Sequence, residues 1–294
     1  MDLKSQGFNV KAYIHCNPNN PLGDVYNEET NLKLMKICVK HQIHFISDEI
    51  YALTIHNSKR KDEFKRLANF HEIIFTKFFV KLISRKFLII YHLLTVSSKI
   101  IFNLYTYSVL CMENVPDPQR THFLWGFSKD FGMASFRFAV LHTFNQDLLK
   151  ILVGMCLYSS VQGHIQQIAG QMLQDKDWLD QTYFPLNLKR IRTAFEDCKT
   201  FFEGFGCKVR NSPAGLFAWV NLAPFFRQKP ITEKAEKELF VELLEKHKIY
   251  IPNGTAFGCQ DPGWFRVIIS IRRDHWKEFC ARFEKFACKN KSSD

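Results

Sequence analysis

Two stretches of the chain decide its fold: residues 17–23, which read NPNNPLG, and residues 128–137, which read SKDFGMASFR. The first follows an apolar run over 10–16 that is compatible with a β-strand, and its Asn, Pro and Gly residues end that strand. The second lies between two further strand-like runs, over 123–127 and 138–143. We expect these strands to share one sheet, with the two polar stretches as loops at strand ends.

An amphipathic helix is predicted between the first loop and the next strand. The pattern over 28–42 places Leu32, Met35 and Val39 on one helical face, and the apolar run that follows ends at Asp48. The order strand, helix, strand predicts two parallel strands joined by a crossover connection. Ligands bind beyond the carboxyl ends of such strands, which is where Asp48 falls.

The second half of the chain predicts longer helices that alternate with single strands, so we place a change of domain near residue 150. Residues 1–150 would form part of a large domain, and residues 151–294 would form its remainder and a smaller C-terminal domain. The predicted fold class is α/β, with a mixed, mostly parallel sheet flanked by helices, plus the smaller α+β domain. The predicted helices of this half cover 151–173, 186–202, 233–247 and 274–287, and its strands cover 215–222 and 265–271.

The composition predicts a globular protein of a reducing compartment. With 294 residues, of which 46% are apolar, the chain can bury a sizeable core. Its nine cysteines are an odd number without Cys-x-x-Cys spacing, which argues against a disulfide framework and against a zinc site. The first 20 residues show no basic start followed by a long apolar stretch, so no secretory signal is expected. We therefore expect a cytoplasmic protein without a metal site.

The net charge of +11 is concentrated in one segment. Residues 59–86 hold nine Lys or Arg and three Asp or Glu, which gives that segment a net charge of +6. A nucleic-acid interface is the minor alternative, since no similar basic stretch recurs elsewhere. The neighbouring apolar run over 87–98 has twelve residues, whereas a membrane-spanning helix needs about 20. We interpret residues 59–106 as an atypical insertion and expect neither a nucleic acid nor a membrane as partner.

Lys129 and Arg137 are the strongest chemical candidates. A lysine in a turn beside aromatic residues can be desolvated enough to serve as a nucleophilic amine that forms a Schiff base. Arg137, eight residues later, would offer a fixed guanidinium to a phosphate dianion. Taken singly, the lysine could equally be a solvated surface charge, and the arginine could belong to an ordinary ion pair.

Four further polar residues could complete a cofactor pocket. An acid at a strand end, such as Asp48, can hold a pyridine nitrogen protonated in a pyridoxal enzyme, although such acids also cap following helices. Asn20 and Tyr51 could bond a phenolic oxygen, or they could serve only in a turn or in packing. Arg266 lies in the apolar sequence GWFRVIIS, where a guanidinium could bind an amino-acid carboxylate or join an interdomain salt bridge.

Together these motifs resemble the fold-type I pyridoxal phosphate enzymes of the class I and II aminotransferase family. The sequences PDPQRTH at 116–122, WGFSKDFGM at 125–133 and PGWF at 262–265 are further similar to the animal 1-aminocyclopropane-1-carboxylate synthase-like proteins. The resemblance covers residues 8–57 and about 107–288. It implies pyridoxal 5'-phosphate as the cofactor, an amino acid as the substrate and a homodimer as the assembly.

By the same resemblance, each motif residue receives one role. Lys129 would form the Schiff base and would move a proton once the substrate is bound. The other implied roles are pyridine-nitrogen partner for Asp48, phenolic-oxygen contacts for Asn20 and Tyr51, cofactor contact for Ser128, phosphate anchor for Arg137 and substrate-carboxylate clamp for Arg266.

The resemblance implies an enzyme of amino-acid metabolism, either a transaminase or a lyase that cyclises S-adenosylmethionine. Family chains begin well before the Asn-Pro motif and supply a phosphate loop and a ring-stacking aromatic residue there, a portion that we expect to be missing here. Many also carry a phosphate-binding serine where this chain has Gly126. The alternative hypothesis is a catalytically inactive truncated or splice-variant product that acts only as a dimerisation partner of a full-length relative.

Overall fold

The computed structural model describes most of the chain outside the basic segment. The described residues are 6–57, 108–112, 114–227 and 229–291. The atypical insertion predicted over 59–106, with the nucleic-acid and membrane alternatives attached to it, lies outside the described residues. Within the described ranges, no helix is long and apolar enough to cross a membrane.

The chain forms two compact units. Unit 1 comprises Met1–Asn19 and Val25–Leu186, and unit 2 comprises Asn20–Asp24 and Asn187–Asp294. The helical stretch 146–183 belongs to unit 1 in this division. The domain change near residue 150 stays a prediction, because compactness by itself does not define a domain boundary.

Unit 1 is built on a four-stranded sheet of β1 (Ala12–Cys16), β2 (His44–Asp48), β3 (Thr121–Gly126) and β4 (Ala139–Thr143). The strands lie in the order β1-β2-β3-β4; the first three are parallel, and β4 is antiparallel to β3. The predicted parallel pair and the predicted single sheet are confirmed. Because β2 and β3 are parallel neighbours, their carboxyl ends lie at the same edge of the sheet.

Helix α1 (Glu28–Lys40) connects β1 to β2, close to its predicted bounds. Its buried side chains are Asn31, Met35 and Cys38. The predicted apolar face is wrong at Val39, which is exposed. The helix instead turns a polar residue inward, because the Asn31 side-chain oxygen lies 3.1 Å from His15 Nε2 and satisfies its hydrogen bond inside the unit.

Three α-helices of four or more residues follow strand β3 and end within unit 1. They are α2 (Phe127–Asp130), α3 (Gln146–Ser159) and α4 (Gly163–Gln174). The single helix predicted over 151–173 is wrong, because the backbone is extended at Ser160 and Gln162 and divides it in two. The break falls in the sequence SSVQG at 159–163, whose polar residues and Gly163 are a helix-ending signal that the predicted helix ignored.

Unit 2 combines a small antiparallel sheet with long helices. Its strands are β5 (Lys208–Arg210), β6 (Phe217–Asn221) and β7 (Trp264–Ile268), in that order. Its helices are α5 (Phe184–Glu203), which begins in unit 1, α6 (Glu233–His247) and α7 (Arg273–Lys291). The predicted bounds of α6 are correct to the residue, whereas β5, with only three residues, had no usable pattern.

Phenylalanine side chains from helices α5 and α7 dominate the core of unit 2. Phe202 and Phe283 are fully buried, and their ring centroids lie 5.0 Å apart in an edge-to-face arrangement. From β7, Phe265 and Val267 point into the same core. Because successive side chains of a strand alternate between faces, this packing directs Arg266 to the opposite face of β7.

Candidate active site

The strand arrangement of unit 1 collects most of the predicted cofactor residues at one sheet edge. Asp48 ends β2 and is in register with Leu124 of β3. Ser128 and Lys129 lie in α2, directly after β3 ends. Arg137 lies just before β4, whose first residue is in register with the last residue of β3. All four residues therefore lie at, or next to, the carboxyl ends of β2 and β3.

Asp48 is a half-buried carboxylate in a local turn. Its Oδ1 accepts a hydrogen bond from Ile50 N at 3.2 Å, and no helix follows in residues 49–57, so it does not cap a helix. Desolvation raises the pKa of the Asp48 carboxyl, and the bond from Ile50 offsets only part of this. Among the described residues it forms no ion pair, so a neighbouring cation would stabilise its charged form.

Tyr51 is buried in the turn that follows Asp48. The carbonyl oxygen of Tyr51 accepts bonds from Thr54 N at 3.0 Å and from Thr54 Oγ1 at 2.7 Å, which closes this turn. Two residues after Tyr51, Leu53 N donates to Asp130 Oδ2 at 3.1 Å. The Tyr51 segment is thereby bonded to the residue that follows Lys129.

The lysine is presented to solvent rather than enclosed. Lys129 is exposed, and Ser128 beside it is half-buried. The desolvation that the sequence suggested for Lys129 is therefore not provided by the described residues. At Gly126, a Cβ would lie 2.8 Å from Phe138 O and 3.2 Å from Ile50 Cδ1, so this backbone leaves no room for the serine that many family members carry there.

Arg137 combines an unusual backbone conformation with an exposed side chain. Its φ of 51° lies in the left-handed region, which is unusual for a residue with a side chain. The guanidinium is exposed and donates from Nη1 to Ala134 O at 3.2 Å. In the part of the chain that the structure describes, Arg137 forms no ion pair, so the alternative of an ordinary ion pair finds no partner there.

In unit 2, Arg266 is paired with the predicted loop residue Asn20. Arg266 Nη1 donates to Asn20 Oδ1 at 2.9 Å, and its Cζ lies 4.5 Å from the ring centroid of Phe257 and 5.7 Å from that of Phe217. Its buried Nε has no acceptor among the described residues, and none of them forms a salt bridge with it. An unsatisfied buried donor on a cation is suited to an incoming carboxylate.

The loop that carries Asn20 is fixed to the rest of unit 2. Arg210 Nη2 donates to both carboxylate oxygens of Asp24 at 2.9 Å, and Ser212 Oγ donates to Leu22 O at 2.7 Å. Gly23 has a φ of 69°, and a Cβ at this position would collide with Ala214 O. A glycine is therefore required here on both conformational and steric grounds.

Sequence reasoning missed three buried acids that support the predicted site residues. Glu49 and Asp130 are next to Asp48 and Lys129 in sequence, and Glu236 bonds to residues of the loop that precedes β7. In sequence they look like ordinary surface charges, and only their position beside motif residues could have drawn attention to them. Among the described residues, no group of three or more His, Cys, Asp and Glu side chains could hold a metal ion.

We predict that Glu49→Gln removes a loss of stability that the wild type suffers as pH rises from about 4.5 towards 7. Burial raises the pKa of Glu49 to about 7, although Ser47 Oγ and Val109 N each donate to its Oε1 at 2.9 Å. A folded-state pKa above the unfolded value means that wild-type stability is full below about pH 4.5 and falls as pH rises towards 7, by about 3 kcal/mol for this group.

Urea unfolding of both proteins between pH 5 and pH 8 measures this difference. We expect the free energy of unfolding of Glu49→Gln to increase relative to that of the wild type as pH rises. Glu29→Gln is the matched control, because Glu29 is exposed and bonded only to Lys33, so it should follow the wild type. Parallel pH profiles for Glu49→Gln and wild type would contradict the prediction.

Comparison with known proteins connects this geometry to one family. A model of the family described as aminotransferase class I and II matches residues 2–283. The chain is 32% identical over 272 residues to the 1-aminocyclopropane-1-carboxylate synthase-like protein 1 of Mus musculus, which covers 92% of this chain and 45% of the relative. It is 28% identical over 283 residues to the human probable inactive 1-aminocyclopropane-1-carboxylate synthase-like protein 2, which covers 96% of this chain and 42% of the relative.

The fold is shared with solved aminotransferases. The aromatic aminotransferase from Pyrococcus horikoshii OT3 superimposes with a TM-score of 0.68 at 16% identity, over 99% of this chain and 64% of that chain. The chain spans less than half the length of the curated relatives named above. Because the family match runs through both units and the mixed sheet is that of a solved aminotransferase, the chain belongs to the class I and II aminotransferases, a pyridoxal phosphate-dependent family of fold type I.

Proposed function

We propose that this chain binds pyridoxal 5'-phosphate at the carboxyl edge of the unit 1 sheet and acts in amino-acid metabolism, as an aminotransferase or a 1-aminocyclopropane-1-carboxylate synthase-like enzyme. The bond from Leu53 N to Asp130 Oδ2 at 3.1 Å carries this proposal. It ties the segment of Asp48 and Tyr51 to the segment of Lys129. An acid, a phenol and an amine on segments joined in this way form a suitable donor set for the cofactor.

The chemistry of these side chains fits the cofactor. The desolvated Asp48 carboxylate is stabilised by a cation, and a protonated ring nitrogen supplies one. The exposed guanidinium of Arg137 suits a phosphate dianion, and the exposed amine of Lys129 is accessible to an aldehyde. When bound, the cofactor supplies an electron sink for bond cleavage at the α-carbon of an amino acid.

Each residue would contribute a simple step. Lys129 Nζ would be the attaching amine and later the group that moves the α-proton, while Asp48 would keep a proton on the ring nitrogen. Tyr51 and Ser128 would donate hydrogen bonds. In unit 2, Arg266 would take the substrate carboxylate through its unpartnered Nε, with its guanidinium held by the 2.9 Å bond to Asn20. The contact of Asn20 with the phenolic oxygen stays a prediction.

Chemical trapping tests the proposal. The purified full chain is mixed with pyridoxal 5'-phosphate, reduced with borohydride and digested, and the phosphopyridoxyl group is located by mass spectrometry. We expect the group on Lys129 in clear excess over every other lysine, because this amine lies on a segment bonded to that of Asp48 and Tyr51. A label spread evenly over exposed lysines, or absent from Lys129, would overturn the proposal.

The second candidate is an inactive dimerisation partner of a longer relative. Two observations favour it: one relative is named probable inactive, and Lys129 lacks an enclosing environment among the described residues. Under this hypothesis Lys129 stays unlabelled, and the chain co-purifies with a full-length relative when the two are expressed together. The homodimer and the cytoplasmic location likewise stay predictions.

A further inference from the structure

The carboxyl group of Asp130 is one of the most enclosed polar groups of unit 1. The residue is 1% exposed, and its Oδ2 accepts from Trp125 Nε1 at 2.7 Å and from Leu53 N at 3.1 Å. Its Oδ1 has no partner among the described residues, and no Lys or Arg of those residues pairs with it. Such burial is costly, so a purely structural side chain at this position would more simply be apolar.

The backbone of Asp130 is held as firmly as its side chain. Its carbonyl oxygen accepts from Tyr183 OH at 2.9 Å, and the Tyr183 ring stacks on Phe131 at a centroid distance of 5.1 Å. Lys129 O accepts from Gly132 N at 3.2 Å, which closes the turn around the lysine. Three separate parts of unit 1 therefore contact the residue next to an exposed lysine.

These contacts join two segments that carry predicted site residues. Leu53 belongs to the turn of Tyr51, and Trp125 belongs to β3, which leads directly into the lysine helix α2. The bond from Leu53 N to Asp130 Oδ2 joins residues 51–54 directly to the lysine helix. The Asp130 carboxyl group therefore helps to set the position of the Tyr51 segment relative to Lys129.

We propose that Asp130 is a positioning residue that fixes the Lys129 amine relative to the Tyr51 segment and so prepares the lysine for attachment to the cofactor. The proposal rests on the proposed function for its chemical purpose. The structural part of the proposal is that a buried carboxyl group couples two loops of the site. The contacts of Asp130 support this part without reference to the cofactor.

Two effects favour the protonated, uncharged form of the Asp130 carboxyl group. Burial raises the pKa of the Asp130 carboxyl well above its usual range, and the bonds from Trp125 and Leu53 offset this only in part. The nearby carboxyl of Glu49, itself buried, disfavours the charge further. A protonated Asp130 is nearly isosteric with asparagine, whose side-chain oxygen can accept the same two hydrogen bonds.

The test compares four single variants of the full chain. Asp130→Ala removes the coupling, Asp130→Asn preserves it, and Tyr183→Phe removes only the bond to the backbone of Asp130. Asp117→Ala is the matched control, because Asp117 also accepts two backbone N–H groups in unit 1, from Gln119 at 3.0 Å and Arg120 at 3.1 Å. The readouts are trapping of the cofactor on Lys129, amide hydrogen exchange without cofactor, and thermal unfolding.

We expect Asp130→Ala to lower the trapped fraction on Lys129 about tenfold or more, since small misplacements of a reacting group have effects of this size. Asp130→Asn should stay within about threefold of the wild type, and Tyr183→Phe should fall between these two. Exchange should rise over 51–54 and 127–133 in Asp130→Ala alone. Asp117→Ala should unfold at a lower temperature yet trap the cofactor like the wild type.

Each outcome decides between the proposals. Wild-type trapping by folded Asp130→Ala would overturn the positioning role, as would a loss in Asp117→Ala as large as that in Asp130→Ala. If the wild type itself traps nothing on Lys129, the proposed function fails, and hydrogen exchange alone then decides whether Asp130 couples the two loops. If Asp130→Ala does not fold, Tyr183→Phe must reduce trapping while thermal stability is retained; unchanged trapping would overturn the positioning role.

Discussion

Replacing Lys129 by alanine will reduce the visible absorbance band of the chain with pyridoxal 5'-phosphate to background. The amine of Lys129 is exposed at the end of α2, beside the carboxyl ends of β2 and β3. A cofactor joined to this amine through a protonated C=N bond absorbs at longer wavelength than the free aldehyde, so alanine should remove that longer-wavelength band. Titration of both proteins with the cofactor, followed by visible spectroscopy, measures the effect.

Two further variants separate chemistry from charge. Lys129→Arg retains the positive charge but lacks a nucleophilic amine at neutral pH, so it should also lack the band. Lys150→Ala is the control, because Lys150 is exposed in the same unit and pairs only with Asp147, at 3.1 Å. A band that persists in Lys129→Ala, or that disappears equally in Lys150→Ala, would exclude Lys129 as the attachment point.

Replacing Glu236 by alanine will destabilise the chain by about 4 kcal/mol, because it leaves several hydrogen-bond donors unsatisfied in or near the core. Glu236 is fully buried, and its Oε1 accepts from Asn253 Nδ2 at 2.9 Å, Thr255 N at 3.0 Å and Thr255 Oγ1 at 2.9 Å. Its Oε2 accepts from the backbone N of Gly263, immediately before β7. Urea unfolding of variant and wild type measures the difference in the free energy of unfolding.

The loss should also reach Arg266, because Glu236 holds residues 253–255 and Gly263, which lead into β7. Arg266 N donates to Pro252 O at 2.9 Å, so a change in the 252–255 loop alters the backbone that presents the guanidinium. The matched control is Glu238→Ala on the same helix, where the side chain is exposed and lies 3.9 Å from Lys234. It should change stability by less than about 0.5 kcal/mol. Equal losses in the two variants would contradict the role of Glu236.

Local patterns predicted the elements that position the site, and failed where packing decided. The strand, helix, strand order through Asp48 and the bounds of α6 were predictable because apolar periodicity there is regular. The buried face of α1 was not predictable, since Asn31 is buried there and forms a hydrogen bond with His15, a residue of β1. The break at Ser160–Gln162 was overlooked, although the polar stretch SSVQG at 159–163 marks it in the sequence.

For the site residues too, the sequence suggested the candidates, and packing decided their surroundings. The motifs and the family resemblance they carry singled out Lys129, Asp48 and Arg266 as candidates, and their roles stay predictions. Their surroundings were not predictable: Lys129 is exposed, and Arg266 is bordered by the rings of Phe217 and Phe257. The contact between Arg266 and Phe217 joins residues that lie far apart in the chain, which no local pattern predicts.

The sequence by itself determined the family, the order of the elements and the identity of the chemical groups, because motifs and periodicity are local properties of the chain. Only the tertiary structure decided which acids are buried, which donors remain unsatisfied and which segments are bonded together. Glu49, Asp130 and Glu236 read as surface charges in sequence, yet each lies in the interior and bonds a loop next to a site residue. Burial depends on all the elements that surround a residue, and no local pattern contains that information.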